Sequence, residues 1–235
     1  MKTIQLFFTT MILFAAVTFV SCDKEADNPV TRSYANTGFS WIVAGEDYEV
    51  NITRGADFTI QATGAGNDLD DLRIVQTGLQ ISFQYAAYKP RRQRVHLNIT
   101  MPAISKINLM GAAYGRLTGF DPATRLQTVL SGSAKYTVDN SLRLLQGDIS
   151  GTSKLNLAGN ITELNVYTSG QGVMDAFPVI GTTLADISSS GQSKAYVNIN
   201  GMLIADASGQ SRIYYKGNPQ QTVITESGEG KVVRQ

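Results

Sequence analysis

A glycine recurs through the second half of this chain at nearly constant spacing, at Gly111, Gly132, Gly151, Gly170, Gly191, Gly209 and Gly228. The intervals are 21, 19, 19, 21, 18 and 19 residues. A fixed period of about twenty residues marks a solenoid in which each copy forms one coil. Serine precedes the glycine in six of the seven copies, and the residue two places after it is always small: Ala113, Ala134, Ser153, Gly172, Ser193, Ser211 and Gly230. A glycine in every copy predicts a tight corner with positive φ or no room for a side chain. The serine is expected to satisfy a corner amide, and the small residue to mark a second close crossing of chain on chain.

Beyond the corner the pattern alternates, with Tyr136 and Val138, Leu155 and Leu157, Ala195 and Val197, and Ile213 and Tyr215 at every second place. Period two predicts strands with one buried face, leaving Thr137, Asn156 and Tyr214 toward solvent. Stacked in parallel, equivalent residues would lie about 4.8 Å apart, so each aligned column becomes a ladder. Helices are excluded by composition, since each interior glycine costs a helix about 1 kcal/mol.

Residues 1–21 read as a targeting segment: Lys2 is the only charge, Ile4 to Val20 is largely apolar, and Phe19-Val20-Ser21-Cys22 closes the run on the single cysteine. That ending resembles the lipobox of bacterial lipoproteins, which implies acylation of Cys22. An ordinary signal peptide, or a membrane anchor with a chance cysteine, fits the same run. Residues 22–37 are then the lipidated cysteine and a polar tether, and 38–235 one domain. The acidic tract after Cys22 is similar to the surface-export signal of Bacteroidetes lipoproteins. Without Lys2 the chain carries 19 basic and 19 acidic residues, so no net charge draws it to nucleic acid. One cysteine and one histidine exclude a disulfide framework and argue against a zinc site.

In the first half, alternating runs at Tyr48–Ile52, Phe58–Ala62, Leu79–Tyr85 and Val95–Met101 are separated by turn-like stretches. The spacing of Ile60, Ile81 and Ile99 predicts wider, irregular coils that cap one end of the stack. The order Ser40-Trp-Ile-Val-Ala-Gly, Tyr48-Glu-Val-Asn-Ile, Asn67-Asp-Leu, Gly78-Leu-Gln-Ile, Val95-His-Leu-Asn-Ile-Thr-Met-Pro and the Ser-Gly-x-Ser-Lys copies resembles the putative auto-transporter adhesin, head GIN domain family. The resemblance spans roughly residues 38 to 233. It implies an all-β fold, a right-handed parallel β-helix with about 19–20 residues per coil and an irregular N-terminal β region, in an envelope protein of Bacteroidetes. No catalytic motif comes with it.

Three past the glycine stand Lys135, Lys154, Lys194, Arg212 and Lys231, with Tyr114 and Val173 in the remaining copies. On a solenoid they align as an anion-binding stripe for an acidic glycan or for lipopolysaccharide phosphates. A solvated corner whose lysines pair with Asp148, Asp186 and Asp206 explains them as well. Lys89, Arg91, Arg92 and Arg94 form a basic loop which, with Tyr85 and Tyr88, would suit phosphates or sugars; a plain charged hairpin fits too. Asn67-Asp68-Leu69-Asp70-Asp71 lacks calcium-loop spacing and reads as a turn with helix-start character. His96 is expected to face water, leaving the many serines without a base.

The sequence therefore reads as a non-catalytic, lipid-anchored outer-membrane protein, periplasmic or surface-exposed, that needs no cofactor or metal and binds a glycan or another envelope partner. A self-associating envelope scaffold is the second reading. A glycan-degrading enzyme is the third, although the aspartates of the repeat do not share one offset from the glycine.

Overall fold

The computed structural model describes residues 28–87 and 93–235. Over these residues the chain winds into a parallel β-solenoid of about seven turns, with one short helix, Gly66–Asp71. Two sheets run the length of the stack. One, here the corner sheet, begins just after each glycine with strands such as Lys135–Asp139, Lys194–Asn198 and Arg212–Lys216. The other, the return sheet, leads back to the next glycine through strands such as Arg125–Leu130, Leu142–Ile149 and Leu184–Ser189. The long strand Lys154–Thr168 contributes to both.

Each glycine corner sits on the one below. All seven glycines have φ between 63° and 74°. A β-carbon added at Gly151 would lie 2.5 Å from the Gly132 carbonyl oxygen, and one at Gly132 would lie 2.9 Å from that of Gly111. Both expected reasons for glycine therefore hold at once. The residue after each glycine donates its N–H to the carbonyl of the corner below, at 2.6 to 2.8 Å from Ala112 up to Glu229. This bond corrects the role expected of serine. Parallel stacking already supplies an acceptor for the corner amides, so Ser150 and Ser208 donate their hydroxyls to the carbonyls of Leu130 and Ser189 instead. The small residue two places on closes the same turn, as in Ser153 N–H to the Ser150 carbonyl at 3.3 Å, and points inward. It is part of this corner and not of a second one.

The alternation seen in the sequence becomes the core. Leu155, Ala195 and Ile213 are fully buried in one inward column, and Val138, Leu157 and Val197 in the next. Tyr136 fills the space that Gly115 leaves open on the coil beneath, and complete burial pushes its phenol far above the ordinary range. Under the corner the interior turns polar but stays bonded: Thr168 shares hydrogen bonds with Ser189 and Ser193, and Ser211 donates to the Ser189 carbonyl.

The N-terminal half does cap the stack, but its topology differs from a run of wider coils. The strands at Ile81 and Ile99 form one coil, Gln80–Tyr85 and His96–Met101, lying beneath Trp41–Ala44 and Glu49–Arg54. The coil Trp41–Arg54 is thereby inserted between the strands Gln80–Tyr85 and His96–Met101 on one side and Lys106–Leu109 and Tyr114–Thr118 on the other. The strand at Ile60 runs antiparallel, with Ile60 facing Ile99, and Val30–Tyr34 pairs antiparallel outside it. On the return sheet Leu72–Thr77 reverses into Gln80–Tyr85 through Gly78 and Leu79, with Gly78 at φ 58°. A two-residue turn of that kind joins antiparallel neighbours only, which is why these segments cannot be successive coils.

The last coil closes the other end. Ile224, in the inward column of buried Ala205, is 44% exposed because no further strand covers it. Glu226, however, occupies the inward column of Ala207 and turns across the open edge. It pairs with Lys231 at 2.8 Å and accepts the free-edge N–H of Val232 at 2.7 Å. A charge at an inward edge position discourages another strand from adding. The Lys231 hydrogen bond, then the Val232 amide, hold the Glu226 carboxyl below its usual range.

Two outcomes follow from the corners and the edge. Gly151→Ala is expected to cost about 2–3 kcal/mol in thermal or urea unfolding, as positive φ and a carbonyl clash combine. Gly66→Ala, with open space around it and no positive φ, should be neutral, and equal effects at the two sites would refute the tight corner. Glu226→Ala should speed Val232 amide exchange about tenfold or more. Because the folded pKa is depressed, protection in the parent persists at and above the ordinary glutamate range and is lost as pH falls through the lowered value.

Candidate functional site

The most regular chemistry on the surface is the column three places past the glycines. Strand register puts Tyr114 beside Lys135, Lys135 beside Lys154, Lys154 beside Val173, Val173 beside Lys194, Lys194 beside Arg212 and Arg212 beside Lys231. The strand alternation turns these side chains outward, and below Tyr114 the same column continues with Glu49 and His96. Neighbouring cations one strand spacing apart repel, so the row is an unfavourable arrangement that an anion would relieve.

The partners differ along the row. Lys231 is committed to Glu226. Arg212 sends Nη1 to the carbonyls of Ser211 at 2.9 Å and Glu229 at 2.5 Å. Lys135 donates to the Tyr114 hydroxyl at 3.2 Å. Lys154 and Lys194 form no ion pair among the described residues. Asp148, Asp186 and Asp206, the acids expected to neutralise the row, project from the return sheet and pair with none of its cations. Which sheet carries an acid is set by its offset within the coil, and these offsets place all three on the return strand.

Arg94 joins the two basic groups that looked separate in sequence. Its guanidinium lies 4.2 Å from the centre of the Tyr114 ring and donates to the Ala112 carbonyl at 3.0 Å. Lys135 Nζ lies 5.2 Å from the same ring centre, at its hydroxyl end, so Tyr114 meets two cations and the basic row reaches one coil lower. The Lys135 hydrogen bond and charge, with a smaller part from Arg94, draw the Tyr114 phenol below its ordinary value. Lys89, Arg91 and Arg92 lie outside the described residues, as do Tyr88 and Cys22. Tyr85 is not a free platform, since its ring stacks on buried Tyr48 at 4.5 Å.

A second column flanks the first and went unread in the sequence. One place past the glycine stand Gln171, Gln192, Gln210 and Glu229, and the carboxamides run in a chain, Gln171 Nε2 to Gln192 Oε1 at 3.4 Å and Gln192 Nε2 to Gln210 Oε1 at 3.1 Å. Aligning the copies on their glycines displays this column as plainly as the lysines. Between the two banks runs a shallow groove of about 630 Å³ that includes Val173, Lys194 and Arg212. On the far side of the cations Tyr196 stacks on Tyr214 at 5.0 Å and 13°, with Phe177 edge-on to Tyr196 at 5.3 Å.

The other sequence candidates take structural places. His96 is exposed and lies 3.4 Å from Glu49. Residues 66–71 form the short helix, Leu69 enters the core, and Asp70 pairs with Arg32 at 2.6 Å. No three potential metal ligands converge among the described residues. No helix there is long and apolar enough to cross a membrane.

Residues 38–219 match the family described as Putative auto-transporter adhesin, head GIN domain. The chain belongs to that family. Solved structures of similar fold include a putative adhesin from Bacteroides fragilis, at 19% identity and TM-score 0.75, covering 89% of this chain and 98% of that one. A putative adhesin from Parabacteroides merdae matches at 17% identity and TM-score 0.66, over 89% and 97% of the two chains. A Parabacteroides distasonis structure described as a putative lipid binding protein matches at 15% and 0.69, over 89% and 98%. No curated protein matches the chain. At these identities the likeness to these structures is one of fold.

If Lys135 is what draws the Tyr114 proton off early, Lys135→Ala should return the phenol toward the ordinary tyrosine range. A pH titration of the Tyr114 ring by NMR reads this directly, and an unmoved titration would assign the shift elsewhere.

Proposed function

We propose that this protein is a non-catalytic binding module of the cell envelope, adhesin-like, that holds a linear polyanion along its basic row. The observation that carries the reading is the registered column Lys135, Lys154, Lys194, Arg212 and Lys231, in which Lys154 and Lys194 have no carboxylate partner among the described residues. Each exposed cation contributes little alone, and a rigid stack lets a long ligand meet several at once. Family membership supports an adhesin-like role, and the neighbouring structures named as adhesins agree with it.

We further propose attachment to the outer membrane through an acylated Cys22. The tether is shorter than the expected residues 22–37, because Val30–Tyr34 is already a strand of the domain, paired with Thr59–Gly64. Self-association end to end is the weaker reading, because Glu226 occupies the open edge that a second copy would need.

Replacing Lys135, Lys154 and Lys194 together by alanine should weaken retention on an immobilised acidic polysaccharide about tenfold, the sum of three small exposed contacts. The parent protein's retention should fall steeply with added salt. Equal retention of parent and variant would remove the reading.

A further inference from the structure

We propose that the upper coils form a groove for an acidic polysaccharide specifically, with Lys194 and Arg212 meeting its carboxylates and Gln171, Gln192 and Gln210 its hydroxyls; this rests on the polyanion reading above. The two banks stand one and three places past the glycine. The residue between them, Ser193 or Ser211, is turned into the core and fully buried, which leaves a channel between the banks.

The chemistry of the two banks differs. A polymer of phosphates or sulfates offers acceptors alone, so cations suffice to hold it, and amide oxygens beside it are unfavourable. A chain that bears both carboxylates and hydroxyls offers donors as well, and carboxamides satisfy both kinds of group. The Gln171–Gln192–Gln210 chain spends one N–H per link, so each carboxamide keeps bonding capacity for a ligand. Arg212 uses Nη1 for backbone carbonyls, leaving Nη2 and Nε with no acceptor among the described residues.

The extent of the groove is fixed by the same columns. In the lower coils the place after the glycine holds Ala112, Ser133 and Thr152, so the carboxamide bank begins at Gln171. Val173 interrupts the cations at that level, where a half-buried apolar side chain suits the C–H face of a sugar ring better than a charge does. At the top, the Glu229 side chain ends the carboxamide bank with a charge that repels an anionic chain.

The test uses the full chain in detergent, with polygalacturonate and inorganic polyphosphate as the two probes. The variant Q171A/Q192A/Q210A is expected to bind polygalacturonate about fivefold more weakly while its hold on polyphosphate is unchanged, because only hydrogen bonds to hydroxyls are lost. K135A/K154A/K194A should weaken both polymers. If the glutamine variant keeps parental affinity for polygalacturonate, or loses affinity for both polymers equally, the groove assignment falls while the basic row stands. If the parent binds neither polymer, the basic row itself falls and takes the groove with it.

Discussion

The structure depends on one contact repeated up the stack: the amide after each glycine bonded to the carbonyl of the corner below, Glu46 at the base and a glycine in every later coil, with no β-carbon on the upper corner to part them. Distances of 2.6 to 2.8 Å leave almost no play in register. Once the corner is fixed, the strands that leave it are fixed too, because a slip of one residue would turn every inward apolar side chain out to water. The ladders of Leu155, Ala195 and Ile213 inside, and of lysine and glutamine outside, are consequences of that corner. The basic row is held by backbone geometry, and its repulsion is tolerated because the stack is stabilised from within.

Much of this was legible because glycine spacing and period-two alternation encode local geometry directly. The corner, the buried small column and the outward cations follow from offsets within a single coil. The corner's hydrogen bonding was misread for serine, since the acceptor comes from the neighbouring coil and a single copy does not display it. The insertion of Trp41–Arg54 between later segments was not legible either. Periodicity says that strands stack, and it is silent about which strand lies beside which. The antiparallel reversal at Gly78-Leu79 is the one local sign, and reading it needs the pairing of Thr77 with Gln80.

The candidate site was legible in part. Lys135, Lys154, Lys194, Arg212 and Lys231 were visible as a column, whereas their partners were not, because pairing depends on which sheet the acids leave from. Asp148, Asp186 and Asp206 sit on the return strand, and Glu226, which does pair, lies at an inward position where no acid is expected. Arg94 looked like part of a loop and instead packs on Tyr114 at the foot of the row. A surface of this kind separates a basic corner from the three aspartates of the return sheet, an arrangement suited to contact along its length.

The inserted coil also sets an order of assembly. Strands Trp41–Ala44 and Glu49–Arg54 find their partners on one side only after residues 80–101 exist, and on the other only after 106–118. A chain emerging from its N-terminus must therefore hold Trp41–Ala44 and Glu49–Arg54 without their stacking partners until more than a third of its length is available, a step of high contact order. Every later turn adds to a finished template by short-range pairing. Contact order alone therefore predicts that the base forms slowly and that the coils carrying the charged row add to it faster.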